Sequence, residues 1–223
     1  MSYWRGVMAM VAKDVLAELR SKEALSAMLL FALMVAVTFN LALELRVDNV
    51  LQIAPGLMWV AFAFAGVLGL NRSFAAEQEC ACIEGLMLTP VDRSAVYIAK
   101  CISNTLFMLA AEALFLPVFS ALFRVPVWNP ALWFIVLLGT VGFASAGTLF
   151  AAVAMNSRAR EILLPLLLLP IVVPVLTAAT RSTAQILDGQ SLAEYAPWLR
   201  LLLAFDIISV VIAVLSFEYV IEE

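Results

Sequence analysis

The sequence predicts an all-α integral membrane protein with about six transmembrane helices. Three observations support this prediction: 65% of the 223 residues are hydrophobic, 13% are charged, and the apolar residues form several long runs separated by short charged stretches. Hydrocarbon roughly 30 Å thick needs about 20 mainly apolar residues per helix. The runs are continuously apolar rather than alternating, which argues against a β-barrel and leaves helices as the structure that satisfies the backbone in lipid.

The first predicted element is an amphipathic helix over residues 1–23. Its apolar residues recur at helical spacing with basic residues on the other side: Trp4, Val7, Met8, Val11, Val15 and Leu19 against Arg5, Lys13 and Arg20. This pattern is typical of a helix that lies along the membrane interface. There is no short apolar core followed by a small-residue cleavage site, so a cleavable signal peptide is not expected. Residues 24–223 are predicted to form one six-helix transmembrane domain.

Six apolar runs make up that domain, approximately at residues 24–45, 50–70, 94–123, 128–155, 161–180 and 197–219. An even number of spans places both termini on one side of the membrane. Of the 13 Lys and Arg residues, nine fall on that side and four on the other, namely Arg46, Arg124, Arg181 and Arg200. Because cytoplasmic loops carry the excess of Lys and Arg, both termini and the segment from Asn71 to Arg93 are predicted to be cytoplasmic.

The fifth predicted span is unusual because it contains Pro165, Pro170 and Pro174. Each proline removes an intrahelical hydrogen bond and disturbs the preceding turn, so this helix is predicted to be kinked or broken. Two interpretations are open: a bent packing helix, since proline is tolerated in membrane helices, or a re-entrant or hinge element near the outer face. The stretch from Arg181 to Pro197 is predicted to be the longest outer connection, either a cap on a lateral gate or a simple loop.

Several kinds of catalytic chemistry are missing from the sequence. There is no histidine, which excludes histidine-based acid–base catalysis, a histidine-ligated zinc site and histidine ligation of haem by this chain alone. No G-x-x-x-x-G-K-[ST] loop occurs, so any ATP must be hydrolysed by a partner chain. Cys80, Cys82 and Cys101 are interpreted as reduced thiols, because they fall short of a four-ligand metal site. We therefore expect no catalytic residue, metal or cofactor in this chain alone.

The polar segment 72–92, between the second and third spans, is the most informative part of the chain. Before its proline it carries three acidic residues and has apolar residues at plausible helical spacing. The pattern predicts an amphipathic helix against the inner face of the membrane. It is either a solvated interhelical loop or a coupling helix that fits a groove on a cytosolic motor. The candidate coupling residues are Arg72, Glu77, Glu79, Glu84 and Pro90.

Glu112 and Asp206 are predicted to lie inside the membrane. A charged side chain there costs about 2.5–3.5 kcal/mol on insertion scales, so each should face protein or a cavity, or be protonated. Asn40 and Asn104 are candidate hydrogen-bonding partners for these acids. The two acids either tie helices together or lie near an interface, or they form a polar lining that engages a substrate or a partner helix.

Five stretches of the sequence carry a resemblance to a known family. They are IAPGLMWVAFAFAG (53–66) followed by LNRSF (70–74), IEGLMLTPVDRSAVYIAK (83–100), LLLPIVVPVL (167–176) and FEYVIEE (217–223). Together they resemble the haem exporter protein B (CcmB) family of cytochrome c maturation, a family of ABC-exporter permeases. The resemblance covers nearly the whole chain and is most specific over residues 53–100. The family pattern has an acid where this chain has Asn71 and a glycine where it has Ala81, so a salt bridge from position 71 to Arg72 is not expected.

The resemblance implies an ABC-exporter permease fold with an interfacial N-terminal helix, a cytoplasmic coupling segment that ends at Pro90 before Lys100, and a broken fifth span. It implies a homodimer paired with two copies of a cytosolic ABC ATPase, joined by a haem-handling membrane subunit and a periplasmic haem chaperone. ATP and Mg²⁺ would then belong to the ATPase and haem to the other subunits. Membrane lipid, and no nucleic acid, is expected around this chain. The expected location is a bacterial inner membrane.

The function that the resemblance implies is mechanical. ATP hydrolysis by the partner is transmitted through the permease and releases haem-loaded chaperone from the haem-handling subunit. A second hypothesis keeps the same fold and makes the chain a true exporter of haem or another amphiphile. A third makes it a passive membrane scaffold for assembly factors. Substitution of Glu77, Glu79 or Glu84 separates the third hypothesis from the others, because a scaffold tolerates the loss of those charges.

Overall fold

The structure is a computed structural model that describes residues 3–43, 52–79, 93–155, 157 and 159–222; for residues 75–79, 93, 160 and 218–222 it describes the backbone alone. This part of the chain forms seven helices and no strand. The helices are α1 (Tyr3–Ser21), α2 (Glu23–Leu43), α3 (Ala54–Glu79), α4 (Arg93–Phe123), α5 (Pro130–Met155), α6 (Arg160–Leu187) and α7 (Leu192–Glu222).

Six of these helices, α2 to α7, are long and apolar enough to cross a membrane. The prediction of an all-α, multi-pass membrane protein with about six spans is therefore confirmed. The apolar parts of the helices cover Glu23–Leu43, Ala54–Phe74, Ser94–Phe123, Pro130–Met155, Glu161–Leu187 and Leu192–Phe217. The first four agree with the predicted spans to within a few residues, and the last two are longer than predicted.

The core of the bundle is built on α3 and α5, which are the most deeply buried spans, whereas α2 and α7 keep much of their surface outward. Glycines let α5 approach α3 closely, because Gly139 lies against the ring of Trp59 and Gly147 lies against Leu70. Small residues at such contacts are typical of membrane helices, which pack through close van der Waals contact. Trp59 Nε1 also donates a hydrogen bond of 3.0 Å to Thr183 Oγ1, which joins α6 to this core.

The fifth span is continuous, since α6 runs as one helix through Pro165, Pro170 and Pro174. The break predicted at these prolines is therefore not observed. Pro170 and Pro174 lie on the exposed side of α6. The opposite side is buried in the core at Leu164, Leu168, Val172 and Val175. Packing on that side keeps the helix in register although each proline removes a backbone hydrogen bond. A hinge role for the prolines stays a prediction.

The prediction of a long outer connection over residues 181–197 is wrong, because α6 and α7 extend into this stretch and leave only a short turn between them. Gly189 makes this turn with a φ of 74°, a conformation that favours glycine. Ser191 and Glu194 then form the carboxylate half of a capping box at the start of α7, in which the Ser191 backbone N–H donates to Glu194 Oε2 at 2.6 Å. The S-x-x-E spacing is visible in the sequence and is a signal for this helix start.

The N-terminal helix α1 packs along the first turns of α4. Val7 and Val11 form a small buried cluster with Ala95 and Ala99. A second apolar face of α1 is exposed and includes Trp4, Met8, Leu16 and Leu19. The apolar residues of the amphipathic pattern thus divide between the bundle and an outward surface. That outward surface suits a membrane interface, and the interfacial position of α1 stays a prediction.

Candidate functional site at the base of the bundle

We use the term base of the bundle for the region where α1, the start of α2, the end of α3 and the start of α4 meet. Its first feature is the corner between α1 and α2. Lys22 makes this corner with a φ of 56°, and Glu18 Oε1 accepts a hydrogen bond of 2.8 Å from the Leu25 backbone N–H. The bond satisfies one of the N–H groups that have no intrahelical partner at the start of α2, and it therefore stabilises the corner.

The second feature is a buried ion pair between α1 and α4. Asp14 Oδ2 lies 2.8 Å from Lys100 Nζ, and the two side chains are only 9% and 7% exposed. Lys13 Nζ lies 3.2 Å from the other oxygen, Asp14 Oδ1, and is half exposed. Tyr3 Oη and Ser94 Oγ share a hydrogen bond of 3.0 Å elsewhere along the same helix contact. Because removing one member of a buried ion pair is strongly destabilising, this pair holds α1 on α4.

The third feature joins α3 to α2. Arg72 Nη1, predicted as a coupling residue, lies 3.1 Å from Glu23 Oε2 at the start of α2, and both side chains are more than half exposed. Arg72 thus has a carboxylate partner, but from a different helix and not from position 71. An exposed pair of this kind contributes little to stability. The contact therefore shows where the end of α3 meets the start of α2 but adds little to the strength of the fold.

The remaining predicted coupling residues lie largely beyond what the structure describes. Residues 72–79 continue α3 as helix and include the backbone of Glu77 and Glu79, whose side chains are not described. Glu84 and Pro90 lie outside the described residues. The predicted amphipathic helix therefore stays a prediction for most of the segment.

Both ends of the segment 72–92 are nevertheless attached to the N-terminal part of the chain. At its first residue, Arg72 contacts the start of α2. Just after its last residue, Ser94 and Lys100 contact α1. Coupling between distant sites travels through packed and polar contacts of this kind. These contacts connect one end of the segment to the start of α2 and the other end to α1.

Glu112 is buried on α4 and faces α5, with 2.7 Å between Glu112 Oε2 and Thr140 Oγ1. Two more polar contacts join the same helices: Tyr97 Oη donates to the Ser145 carbonyl and Asn104 Nδ2 donates to Thr148 Oγ1, each at 3.0 Å. Glu112 is thus part of a polar seam between α4 and α5. This geometry favours the interpretation in which the acid ties helices together.

Asp206 is buried on α7 and faces α5, where its carboxylate lies against Gly142. Neither carboxylate oxygen has a hydrogen-bond partner among the described residues. The predicted pairing of Asn40 and Asn104 with the two acids is wrong. Asn40 Nδ2 donates to the Leu122 carbonyl at 2.9 Å, where it satisfies one of the carbonyl groups left without a partner at the end of α4.

Only Cys101 of the three cysteines lies within the described residues. Cys101 is a half-buried free thiol on α4, and Cys80 and Cys82 lie outside the described residues. Within the described ranges no three residues of the types His, Cys, Asp and Glu are grouped in a way that could hold a metal ion. The expectation that this chain alone binds no cofactor stays a prediction.

Several residues of these sites were not predicted from the sequence, among them Asp14, Glu23 and Thr140. Asp14 follows Val7 and Val11 at helical spacing, so a polar residue interrupts the buried face of α1. That interruption is a signal for a buried partner on another helix. Glu23 and Thr140 carry no such signal, because their roles depend on which residues of the neighbouring helices face them.

The six-span bundle, with an amphipathic N-terminal helix docked on its base, defines a multi-pass membrane protein of the permease class. More specifically, the chain belongs to the CcmB protein family, whose family model matches residues 5–222. This match confirms the resemblance found in the sequence.

Among similar proteins are three that are named heme exporter protein B. The protein from Pseudomonas aeruginosa is 30% identical over 186 residues, which is 83% of each chain. The protein from Rhodobacter capsulatus is 30% identical over 171 residues, 75% of this chain and 78% of the relative. The protein from Bradyrhizobium diazoefficiens is 24% identical over 205 residues, 92% of this chain and 91% of the relative.

Proposed function

We propose that this chain is the membrane subunit of an ABC transporter complex in cytochrome c biogenesis, and that it couples ATP hydrolysis by a partner ATPase to release of a haem-loaded periplasmic chaperone. Membership of the CcmB family supports the class of complex. The observation that carries the coupling role is the attachment of one end of segment 72–92 to the start of α2 and of the other end to α1.

In this proposal the segment 72–92 docks on the ATPase through its acidic residues. Movement of the docked segment pulls on Arg72 at one end and on Lys100 at the other. The ion pairs with Glu23 and Asp14 pass the displacement to α2 and α1, which are stiff helices over most of their length. The spans then shift relative to the haem-handling subunit, and the chaperone leaves it.

The partners follow from the same proposal. Two copies of this chain pair with two cytosolic ATPase subunits that bind ATP and Mg²⁺, while haem is bound by the haem-handling membrane subunit and the chaperone. The complex lies in a bacterial inner membrane, with both termini and the base of the bundle in the cytoplasm. The excess of Lys and Arg on that side supports this orientation.

A groove at the base favours one alternative, export of an amphiphile. It is an open depression of about 570 Å³ on the surface of α2 beside the Glu23–Arg72 pair, and it is lined mainly by apolar residues of α2: Ala27, Leu29, Leu30 and Leu33. A charged mouth above apolar walls suits a molecule with one polar end. The cavities beside Glu112 argue against a haem path through the core of one chain, since each has room for about one water molecule, roughly 10 Å³.

The test is reconstitution of this chain with its ATPase, the haem-handling subunit and the chaperone in vesicles. A variant with Glu77→Gln, Glu79→Gln and Glu84→Gln should lose most ATPase binding and all ATP-dependent chaperone release. Glu161→Gln is the matched control, because Glu161 is an acid on the same predicted side but outside the segment, and it should behave as the wild type.

Each outcome separates the hypotheses. ATP-dependent release of chaperone without movement of haem across the bilayer supports the proposal. Movement of haem that survives removal of the chaperone makes the chain an exporter and overturns it. Full activity in the triple variant means that these three charges do not form the docking surface. Assembly of cytochrome c that does not depend on ATP would show that the chain is a scaffold.

A further inference from the structure

Glu112 occupies an uncharged pocket in the core of the bundle. It is only 6% exposed, and two small cavities lie beside it. The other residues that line these cavities come from α2, α3, α4, α5 and α6, and none of them is charged or titratable; the larger ones are Met28, Trp59, Phe62, Met108, Phe143 and Leu176. Among the described residues that line these cavities, none is a cation that faces the carboxyl group.

The hydroxyl of Thr140 has two close acceptor oxygens but only one hydrogen to donate. Thr140 Oγ1 lies 2.7 Å from Glu112 Oε2 and 2.8 Å from the carbonyl oxygen of Val136. A threonine hydroxyl has one hydrogen, and a carbonyl oxygen can only accept. If Thr140 donates to Val136 within its own helix, the bond to Glu112 needs a hydrogen from the acid.

The alternative is an ionised Glu112 that accepts from Thr140. The single hydroxyl hydrogen would then be shared between the carboxylate and the Val136 carbonyl, or be withdrawn from the carbonyl altogether. A buried negative charge would be left with one shared hydrogen bond and no cation, which is the costly situation for an acid inside the membrane. A neutral Glu112 avoids this cost, because its acid hydrogen is accepted by Thr140 Oγ1 and the hydroxyl hydrogen of Thr140 is accepted by the Val136 carbonyl.

We infer that Glu112 is a buried proton-binding site: a neutral carboxylic acid that donates to Thr140 Oγ1, which in turn donates to the carbonyl of Val136. The ligand of the site is a proton, and the two cavities, each large enough for about one water molecule, flank the group that holds it. The bound proton forms the hydrogen bond between Glu112 and Thr140 that joins α4 to α5 at this position of the polar seam. The inference is independent of the proposed coupling function.

The first experiment measures the infrared spectrum of the full chain in vesicles of phosphatidylethanolamine and phosphatidylglycerol at neutral pH. We expect a C=O stretching band of a protonated carboxylic acid that disappears in Glu112→Gln. In Thr140→Val the band should persist and move to higher frequency, because the acid loses the acceptor of its hydrogen bond. Asp206→Asn is the matched control, because it removes the other acid that is buried within the predicted spans and should leave the Glu112 band in place.

A second measurement keeps the inference testable if the infrared bands overlap. The glutamine amide is neutral and can donate to Thr140 Oγ1, so Glu112→Gln should keep the thermal unfolding midpoint of the wild type, whereas Glu112→Ala should lower it. The inference is overturned if the Glu112→Gln substitution removes a band of an ionised carboxylate from the wild-type spectrum and removes no band of a protonated acid. An equal fall of the midpoint in Glu112→Gln and Glu112→Ala overturns it as well, because the negative charge would then be what the site requires.

Discussion

Asp14 Oδ2 on the N-terminal helix lies 2.8 Å from Lys100 Nζ on α4, and both side chains are almost fully buried. Lys100 comes two turns after the segment 72–92, and Asp14 comes two turns before the corner at Lys22. The pair therefore connects the exit of the proposed coupling segment to the element that leads into the first span. A polar contact in this position orients α1 on the bundle in a way that apolar contacts alone do not specify.

Removing the carboxylate of this pair should release α1 from α4. We expect Asp14→Asn to cost about 3–5 kcal/mol in the free energy of unfolding, since both lysines then lose the same carboxylate. Lys100→Met should cost less, because Asp14 keeps Lys13 at 3.2 Å. Trypsin cleavage after Arg20 or Lys22 and thermal unfolding in detergent report the effect. Equal losses in the two variants would contradict this account, and Lys13→Met is the exposed control.

The exposed Arg72–Glu23 pair at the base of the bundle should contribute much less to stability than the buried Asp14–Lys100 pair. Arg72→Gln and Glu23→Gln are each expected to change the free energy of unfolding by less than about 1 kcal/mol, because the two side chains are more than half exposed. Thermal unfolding of both variants measures this. If stability is retained while ATPase stimulation falls, the pair acts in coupling. A loss of several kcal/mol would show instead that it is part of the fold.

The contact between α3 and α5 should not tolerate an added methyl group. A Cβ at Gly139 would overlap the ring of Trp59, with Cζ3 at 2.7 Å, and the hydrogen bond to Thr183 restrains that ring. Gly139→Ala is therefore expected to cost about 1–3 kcal/mol in thermal unfolding. Gly56→Ala is the matched control, since an added Cβ there meets nothing within 4 Å. That change should be neutral or stabilising by up to about 1 kcal/mol. Similar effects at the two glycines would argue against the close packing.

The second buried acid should be replaceable by its neutral amide. Neither oxygen of Asp206 has a hydrogen-bond partner in the described part of the chain, so Asp206→Asn loses no contact. We expect the free energy of unfolding to stay the same or to rise by about 1 kcal/mol. Asp188→Asn, in the exposed turn after α6, controls for the general effect of removing a carboxylate. A fall of more than about 2 kcal/mol would mean that another chain supplies a cation to Asp206.

Much of the architecture could be predicted because hydropathy is a local property of the chain. The apolar runs located the six spans, and the amphipathic pattern located α1, without any knowledge of packing. The turn between α6 and α7 was predicted poorly because the predicted fifth span ended at residue 180 and the sixth began at Pro197, so residues 181–197 were taken as a connection. Packing of the buried faces, and the capping box at Ser191, allow both helices to continue past those limits.

The candidate sites could be predicted only in part, for a physical reason. In a membrane both the lipid-facing and the protein-facing sides of a helix are apolar, so the sequence of a span does not reveal which side faces its neighbours. Glu112 and Asp206 could be recognised as candidate sites from the sequence, because a charge in hydrocarbon is costly. Their contacts depend on the rotation and depth of each helix in the bundle. Composition and hydropathy thus determined a six-span membrane protein with an amphipathic N-terminal helix, whereas tertiary packing decided that Asp14 faces Lys100 and that Glu112 faces Thr140.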